Sequence, residues 1–287
     1  MSTVYLNGKY LPDDQALVSV LDRGFVFGDG VYEVIPAYFG HPFRLPQHLE
    51  RLSNSLSAIR LHNPLSAAQW AELLDNLIRF NPSASDQSLY VQITRGPAKR
   101  DHAIPQDIKP TLFAMCNPIT PPDHAMLTLG VSVVTLEDIR WKYCQIKAIT
   151  LLPNVLLRAD AAEQGAIDAI LLRDGVVTEG TASNVFVWNN GQLVTPPKSN
   201  YLLPGITRDL VLEIAQRRGV NALEQDITEG DLRNAEEIWL TSSTKEILPV
   251  TQLNGQPVGS GVPGERWRTM LGWYQDYKRS LRTSISA

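Results

Sequence analysis

The sequence predicts an α+β protein of two domains. Strand-like and helix-like segments alternate irregularly along its 287 residues, Asn-Gly and Asp-Gly turn signals recur, and a proline-rich segment interrupts the chain. With 44% hydrophobic and 20% charged residues, a chain of this length can bury sizeable cores without disulfides or metals.

Charge and cysteine content exclude several classes of function. A net charge of −4 argues against a nucleic-acid or anionic-membrane partner, because either would need a clustered basic face. Cys116 and Cys144 are too few for a disulfide framework or a four-ligand zinc site, so no metal is expected. Neither a secretory leader nor a membrane-spanning run is visible, and we expect a soluble cytoplasmic protein.

The first domain, predicted over residues 1–117, begins as a meander and continues with helices. Asn7-Gly8 between apolar flanks indicates a hairpin. Pro36, inside a strand at 31–39, indicates an edge position or a bulge. Apolar residues then recur at helical spacing before strands resume. The further predicted elements are helices 46–61 and 66–80 and strands 88–95 and 111–116.

A linker is predicted at 118–123, where prolines crowd the chain, and a larger C-terminal domain over 124–287. Pro153 suits the first turn of a helix, and Thr207 suits an N-cap. The predicted elements of this domain are strands 127–135 and 236–241, a strand leading into Lys147, helices 153–164 and 207–218, and hairpins turning at Asp174-Gly175 and Asn190-Gly191.

Lys147 and Glu179 are the candidates for covalent and acid–base chemistry. Lys147 lies in the largely uncharged run YCQIKAITLL, where burial would favour a neutral, nucleophilic amine able to form a Schiff base. Glu179 follows a hairpin strand, and a carboxylate beside a pyridine nitrogen keeps that nitrogen protonated. Taken alone, each position fits an ordinary exposed side chain better.

Three further segments are candidates for holding a phosphate. Residues 205–208 open a helix whose free N–H groups attract anions, 241–244 offer hydroxyl donors, and Arg51 could add a bidentate contact. Taken alone, these fit a capped helix, a polar turn and a surface arginine. The glycine-rich run at 24–30 precedes a strand and lacks a dinucleotide-binding pattern, so it is assigned no nucleotide role.

Five blocks in fixed order carry a family resemblance: RGFVFGDGVYE, HLERL, EDIRWKYCQIK, ILLRDGVVTEGTASNVF and LPGITRDLV. In these blocks the chain resembles the class IV aminotransferases, which are pyridoxal-5′-phosphate (PLP) enzymes of fold type IV. The resemblance runs from residue 27 to residue 250. It implies a PLP-dependent transaminase whose larger C-terminal domain binds the cofactor.

The resemblance also assigns roles to residues. Lys147 would carry the cofactor and act as the acid and base at the substrate Cα, and Glu179 would meet the pyridine nitrogen. A loop and a phosphate cup would surround the rest of the cofactor. These implied contacts are Thr181, Ala182 and Ser183 in the loop, and Arg51, Ile206, Thr207, Ser242 and Ser243 in the cup.

Within the family the chain looks like the D-amino acid (D-alanine) aminotransferases. Tyr32 matches a tyrosine of the substrate pocket, and Arg100 and His102 match an R-x-H pair that holds the substrate α-carboxylate. In that group the pair comes from the neighbouring subunit, which implies a homodimer with shared active sites. Pro36 departs from the pattern, because those enzymes carry a lysine there.

Other functions stay open at this point. A branched-chain L-amino acid aminotransferase, an (R)-selective amine transaminase and an aminodeoxychorismate lyase share the fold, although Arg100 and His102 disfavour the first. From another class, a non-catalytic binding protein is disfavoured because both Lys147 and Glu179 are present. A cofactor-free Schiff-base lyase would leave the phosphate cup without a use.

Overall fold

The computed structural model describes residues 2–285. They divide into two structural units, each with its own sheet. The first holds the chain up to Thr120 together with Ile146–Leu151, and the second holds Pro121–Gln145 and the chain from Leu152 onward. The short segment Ile146–Leu151 therefore places Lys147 in the first unit. The linear division at 118–123 stays a proposal for the domain boundary.

A six-stranded antiparallel sheet organises the first unit. Its strands are β1 (Thr3–Leu6), β2 (Lys9–Pro12), β3 (Gly30–Tyr38), β4 (His41–Pro42), β5 (Gln87–Thr94) and β6 (Thr111–Pro118). They lie in the order β2-β1-β6-β5-β3-β4. The hairpin predicted at Asn7-Gly8 is confirmed, since both residues adopt the positive φ (48° and 94°) that a two-residue turn of this kind needs.

Pro36 lies in β3, just before the two residues that pair with the edge strand β4. It pairs with Ser88 of β5, while the edge strand β4 reaches only Ala37 and Tyr38. Its carbonyl accepts the Phe43 N–H at 2.7 Å. The missing N–H of proline is therefore tolerated next to a two-residue edge strand, although β3 itself lies between β5 and that edge strand and continues in register through Pro36.

Three helices accompany this sheet: α1 (Arg23–Phe27), α2 (Leu45–Ala58) and α3 (Ala67–Phe80). The last two match the predicted helices to within a few residues at each end. Ser66 and Gln69 form a capping box that starts α3. Leu52 and Leu56 of α2 and Trp70 of α3 are buried in one core with the inner face of the sheet.

A mixed nine-stranded sheet organises the second unit. Its strands are β7 (Val131–Glu137), β8 (Asp168–Arg173), β9 (Val176–Gly180), β10 (Asn184–Asn189), β11 (Gln192–Thr195), β12 (Ala222–Glu224), β13 (Glu237–Ser242), β14 (Glu246–Leu253) and β15 (Gln256–Pro257). The order is β12-β11-β10-β13-β14-β7-β8-β9, with β15 beside β14. The two predicted hairpins, β8–β9 and β10–β11, are confirmed with positive φ at all four turn residues.

The helices of the second unit are α4 (His124–Thr128), α5 (Leu152–Glu163), α6 (Ile206–Arg217), α7 (Glu229–Arg233) and α8 (Glu265–Ile285). The N-cap prediction for α6 is wrong, because Gly205 occupies that position and Thr207 lies inside the first turn. A Cβ on Gly205 would lie 1.9 Å from Asn184 Oδ1, so only glycine fits there. Among the described helices, none is both long and apolar enough to cross a bilayer.

Two strand predictions need correction. The segment 127–135 begins as helix α4, which Asp123 caps, and becomes strand only at Val131. No strand leads into Lys147 in the described structure, where 138–151 makes only an isolated bridge between Ala148 and Val31. The backbone groups of this segment make isolated hydrogen bonds and do not form a continuous strand ladder. Local residue propensity does not distinguish these two arrangements.

Candidate active site

Lys147 is held by its own backbone in the first unit. Its N–H donates to Ser55 Oγ of α2 at 3.1 Å, and its carbonyl accepts the Tyr32 N–H of β3 at 2.9 Å. The half-buried side chain places Nζ 4.2 Å from the centre of the Tyr32 ring. The structure thus brings together the predicted Schiff-base lysine and the predicted pocket tyrosine, and two fixed backbone bonds limit where the amine can lie.

Arg51 is buried and is no ordinary surface arginine. Its Nε and Nη2 donate to the two carboxylate oxygens of Glu33 at 2.7 and 2.8 Å, and His48 Nδ1 lies 2.9 Å from Glu33 Oε2. Burial alone would raise the pKa of Glu33, but Arg51 and then His48 lower it to about 2. Burial lowers the pKa of His48. Glu33 is therefore a fixed anion that orients the Arg51 guanidinium.

Arg100 and His102 lie together on an exposed loop of the first unit. Both rest against Phe27, with the Arg100 guanidinium 5.3 Å from the ring centre and the His102 ring 5.5 Å from it. One aromatic ring thus positions both predicted carboxylate ligands while leaving them accessible.

Glu179 is buried in the second unit, where it ends β9. Arg140 Nη1 donates to Oε1, while Asn184 Nδ2 and the Leu203 N–H donate to Oε2 at 3.2 and 3.0 Å. Burial raises the pKa of Glu179, and the charge of Arg140 offsets this only in part. The carboxylate is thus held in place by three donors without being fully stabilised as an anion.

The first turn of α6 lies next to the same cluster. Gly205 caps it without any side-chain hydrogen bond, so the N–H groups of Ile206 and Thr207 point outward from a helix N-terminus. Asn184 contacts both Glu179 and Gly205, and it pairs across the sheet with Thr241. The Oγ1 of Thr241 is buried without a hydrogen-bond partner. An unmatched donor and a free helix N-terminus suit an anionic ligand.

The remaining predicted contacts lie around this cluster. Thr181 Oγ1 and Ser183 Oγ donate to the buried carboxylate of Asp168 at 2.5 and 3.0 Å, while Ala182 is exposed. Ser242, the last residue of β13, accepts the Lys245 N–H at 3.3 Å. Asp168 thus fixes the fold of the 181–183 loop. Ser242 and the following Ser243 are half-buried.

Comparison with known proteins gives the family. The family model described as amino-transferase class IV matches residues 30–253. A D-alanine aminotransferase of Bacillus licheniformis is 41% identical over 261 residues, which cover 91% of this chain and 92% of that protein. The chain belongs to the class IV aminotransferases. Enzymes of this family use PLP, which is therefore the cofactor of this chain.

Solved structures share the fold of this class IV enzyme. The branched-chain amino acid aminotransferase of Escherichia coli superposes with a TM-score of 0.89 at 25% identity, covering 94% of this chain and 92% of that one. The branched-chain aminotransferase of the archaeon Thermoproteus uzoniensis, solved with norvaline, gives a TM-score of 0.89 at 25% identity, covering 96% and 94%. The expected fold type IV architecture is confirmed.

The residues of the second unit fit parts of PLP. Glu179 offers a carboxylate for a ring nitrogen, and the start of α6 with Thr241 offers donors for a phosphate. Sequence reasoning missed the residues that hold these groups in place. These are Glu33, His48, Asp138, Arg140, Asp168 and Asn184. A signal was present, since a carboxylate inside an apolar strand such as VYEVI needs a buried partner.

Proposed function

We propose that this protein transfers amino groups between D-amino acids, such as D-alanine or D-glutamate, and an α-keto acid, 2-oxoglutarate or pyruvate. The structural observation that carries the proposal is the contact of Lys147 Nζ with the Tyr32 ring, which joins the cofactor-bearing amine to the substrate pocket. The full-length similarity to a D-alanine aminotransferase supports the choice of a D-substrate.

The residues divide the work as follows. Bound PLP supplies an electron sink for the charge that develops when the substrate Cα loses its proton. Lys147 would hold the cofactor through Nζ until the substrate amine displaces it, and the freed Nζ would then take the Cα proton and return it to the cofactor. The two backbone bonds of Lys147 fix the main chain from which Nζ extends. Glu179 keeps the ring nitrogen protonated.

The phosphate of the cofactor is assigned to Arg51 and to hydroxyl and N–H donors of the second unit. Glu33 occupies Nε and Nη2 of Arg51, so the guanidinium approaches a phosphate in one orientation. The donors assigned from the second unit are Ile206, Thr207, Ser242 and Ser243. The loop at 181–183, fixed by Asp168, is assigned to the cofactor as well.

Arg100 and His102 are assigned to the α-carboxylate of a substrate bound in a second copy of the chain. A guanidinium fork matches a carboxylate, and both residues are exposed on the described chain. Apolar residues of the first unit are exposed as well, including Leu17 at 83% and Phe25 at 78%. Side chains of this type are covered when subunits associate, which supports a homodimer.

The assignment of Lys147 is tested by Lys147→Ala, with the exposed Lys142→Ala as the control. We expect turnover to fall by about 10²–10⁴-fold or more, the range for removal of a general acid–base. Borohydride should attach the cofactor to the wild type and to Lys142→Ala but not to Lys147→Ala, as read by peptide mass spectrometry. A cofactor adduct at another residue, with turnover intact, would refute the assignment.

Substrate handedness is tested separately, because the fold is shared with branched-chain aminotransferases. D-alanine, L-leucine and (R)-1-phenylethylamine are offered in turn with 2-oxoglutarate, and aminodeoxychorismate is offered to detect lyase activity. We expect turnover of D-alanine only. Turnover confined to L-leucine would replace this proposal with the branched-chain alternative.

The shared site is tested by mixing subunits. Lys147→Ala and Arg100→Ala proteins, each inactive alone, are unfolded together and refolded. If Arg100 serves the neighbouring subunit, hybrid dimers contain one complete site and regain part of the activity. If Arg100 serves its own subunit, no combination yields a complete site, and the mixture stays inactive.

A further inference from the structure

Four charged side chains of the second unit form one cluster: Asp138, Arg140, Arg173 and Glu179. Exposure is 5% for Glu179, 7% for Asp138 and 8% for Arg140. Arg140 directs its Nε and Nη2 to the two oxygens of Asp138 at 2.8 and 2.9 Å, and it gives Nη1 to Glu179 Oε1. Arg140 therefore makes its bidentate pair with Asp138 and gives a single N–H to Glu179.

Arg140 is the only cation that the described contacts place on Glu179. The other two donors to this carboxylate, Asn184 Nδ2 and the Leu203 N–H, are neutral, and both bond to Oε2. A neutral donor can also bond to a protonated carboxyl group, whereas the charge of a guanidinium favours the ionised form alone. The charge state of Glu179 therefore depends on Arg140.

The position of Arg140 does not depend on Glu179. Its Nη2 also donates to the Tyr201 carbonyl at 3.2 Å, and Thr178 Oγ1 donates to Asp138 Oδ2 at 3.0 Å. Arg173 Nη2 lies 3.2 Å from Asp138 Oδ2 and donates to the Arg140 carbonyl at 2.9 Å. These contacts fix the Arg140 guanidinium independently of Glu179, as is required of a preorganised electrostatic partner.

We propose that Arg140 is a positioning residue that keeps Glu179 ionised and oriented for the ring nitrogen of PLP, and that Asp138 holds Arg140 so that only Nη1 is offered to Glu179. The proposal rests on the proposed function, in which Glu179 meets that nitrogen. Burial raises the pKa of Glu179 and Arg140 opposes the rise, in agreement with this role. Since Arg140 gives Glu179 one N–H and not the whole fork, Arg140 is the one described donor to Oε1, and this oxygen keeps the capacity to accept a further hydrogen bond from the ring.

Arg173 provides a matched control. It belongs to the same cluster and bonds to Asp138, but none of its described contacts is with Glu179. Arg140→Gln and Arg173→Gln each remove one guanidinium from the cluster, and only the first should alter Glu179. A merely structural role for both arginines predicts equal effects of the two changes.

The first arm of the experiment uses the protein without cofactor. The protonated-carboxyl band of Glu179 is followed by infrared spectroscopy as a function of pH and assigned by its loss in Glu179→Gln. In Arg140→Gln the protonation midpoint should rise by about 1–3 pH units, the shift that one adjacent opposite charge produces. In Arg173→Gln the midpoint should stay near that of the wild type.

The second arm uses the enzyme loaded with ¹⁵N-labelled PLP. The ring nitrogen should be protonated at neutral pH in the wild type and in Arg173→Gln, and unprotonated in Arg140→Gln and Glu179→Gln, as read from its ¹⁵N chemical shift. If Arg140→Gln does not fold, Arg140→Lys carries the test. A lysine lacks the fork that joins both carboxylates, so the Glu179 midpoint should rise in that variant as well.

The outcomes separate this inference from the function on which it rests. A Glu179 midpoint that is the same in wild type, Arg140→Gln and Arg140→Lys overturns the inference, whatever the cofactor does. If the midpoint rises but the ring nitrogen responds to neither Arg140→Gln nor Glu179→Gln, the hold of Arg140 on Glu179 stands. In that case the pairing of Glu179 with the ring, which belongs to the proposed function, fails.

Discussion

Each unit buries one glutamate against one arginine, and the two pairs are built in opposite ways. In the first unit Arg51 gives Nε and Nη2 to Glu33, whose pKa falls to about 2 although burial would raise it. In the second unit Arg140 gives its fork to Asp138 and one N–H to Glu179, whose pKa is raised by burial. Both carboxylates are buried, so burial alone does not decide their charge.

The difference shows which partner of each pair is available to a ligand. Glu33 is satisfied by a complete fork and by His48, so it acts as an anchor for Arg51. Glu179 also accepts three hydrogen bonds, but only one of them comes from a charged donor, so its negative charge is offset less completely than that of Glu33. One pair thus presents a cation, suited to a phosphate, and the other presents an anion, suited to a protonated ring nitrogen.

The largest expected effect concerns stability without cofactor. Glu33→Gln breaks a buried ion pair, and at neutral pH we expect a loss of about 3–5 kcal/mol in the free energy of unfolding. Glu179→Gln removes a charge that burial disfavours, so it should cost far less or even stabilise the protein. Urea unfolding of the two apoprotein variants, compared with the wild type, measures both.

Glu33 and Glu179 should also contribute to the pH dependence of stability with opposite signs, and each variant should lose one of these contributions. The folded pKa of Glu33 lies below its ordinary value of 4.5, so its contribution is present above pH 4.5 and is lost as the pH falls towards 2. The folded pKa of Glu179 lies above 4.5, so its ionisation lowers stability as the pH rises through and above 4.5. Parallel pH profiles for the two variants would contradict the comparison.

For turnover we expect the opposite order, with the larger effect from Glu179→Gln and the smaller from Glu33→Gln. At saturating PLP, Glu179→Gln should lower kcat by about 10²–10³-fold, the size of effect when one electrostatic partner of a reaction is removed. Glu33→Gln, assayed where its folded fraction has been measured, should keep a kcat close to that of the wild type. Equal losses in the two variants would mean that both glutamates act on the reacting group.

Much of the fold was open to prediction because its determinants are local. Asn190-Gly191 fixes a hairpin by the backbone freedom of two adjacent residues, with φ of 48° and 75°. The apolar spacing of Leu49, Leu52 and Leu56 marks α2. Lys147 and Glu179 were reached through the order of the family blocks, which no single spacing would have shown.

The supporting contacts were not open to prediction, because they join residues far apart in sequence. Arg140 and Glu179 are 39 positions apart, and Asp138 competes with Glu179 for the same guanidinium. Which carboxylate receives the fork depends on how β7 and β9 flank β8, a matter of tertiary packing. The N-cap of α6 was misplaced for a similar reason, since the contact of Gly205 with Asn184 is also long-range.

A smaller effect distinguishes the two pairs by what they do for the cofactor phosphate. Glu33→Gln loosens Arg51, and we expect the affinity for PLP to fall about tenfold, equivalent to about 1.4 kcal/mol, while the affinity for phosphate-free pyridoxal stays unchanged. Glu179→Gln should affect PLP and pyridoxal alike. Fluorescence titration of each apoprotein with both compounds measures the difference, and a uniform loss in Glu33→Gln would detach Arg51 from the phosphate.

The smallest expected effect belongs to His48, the neutral donor that completes the first pair. Burial lowers its pKa, with the nearby charges of Arg51 and Lys147 acting in the same direction and Glu33 opposing them. The folded protein thus binds a proton at His48 less readily than the unfolded chain, so stability should fall as the pH drops below 6.5 towards the folded pKa. One such group contributes at most about 1.4 kcal/mol per pH unit.

His48→Gln should remove this slope between pH 6.5 and the range where Glu33 begins to act, whereas His62→Gln, at an exposed position, should leave it in place. Urea unfolding of the apoprotein across this range measures the slope, and an unchanged slope in His48→Gln would show that the histidine is not a neutral donor to Glu33.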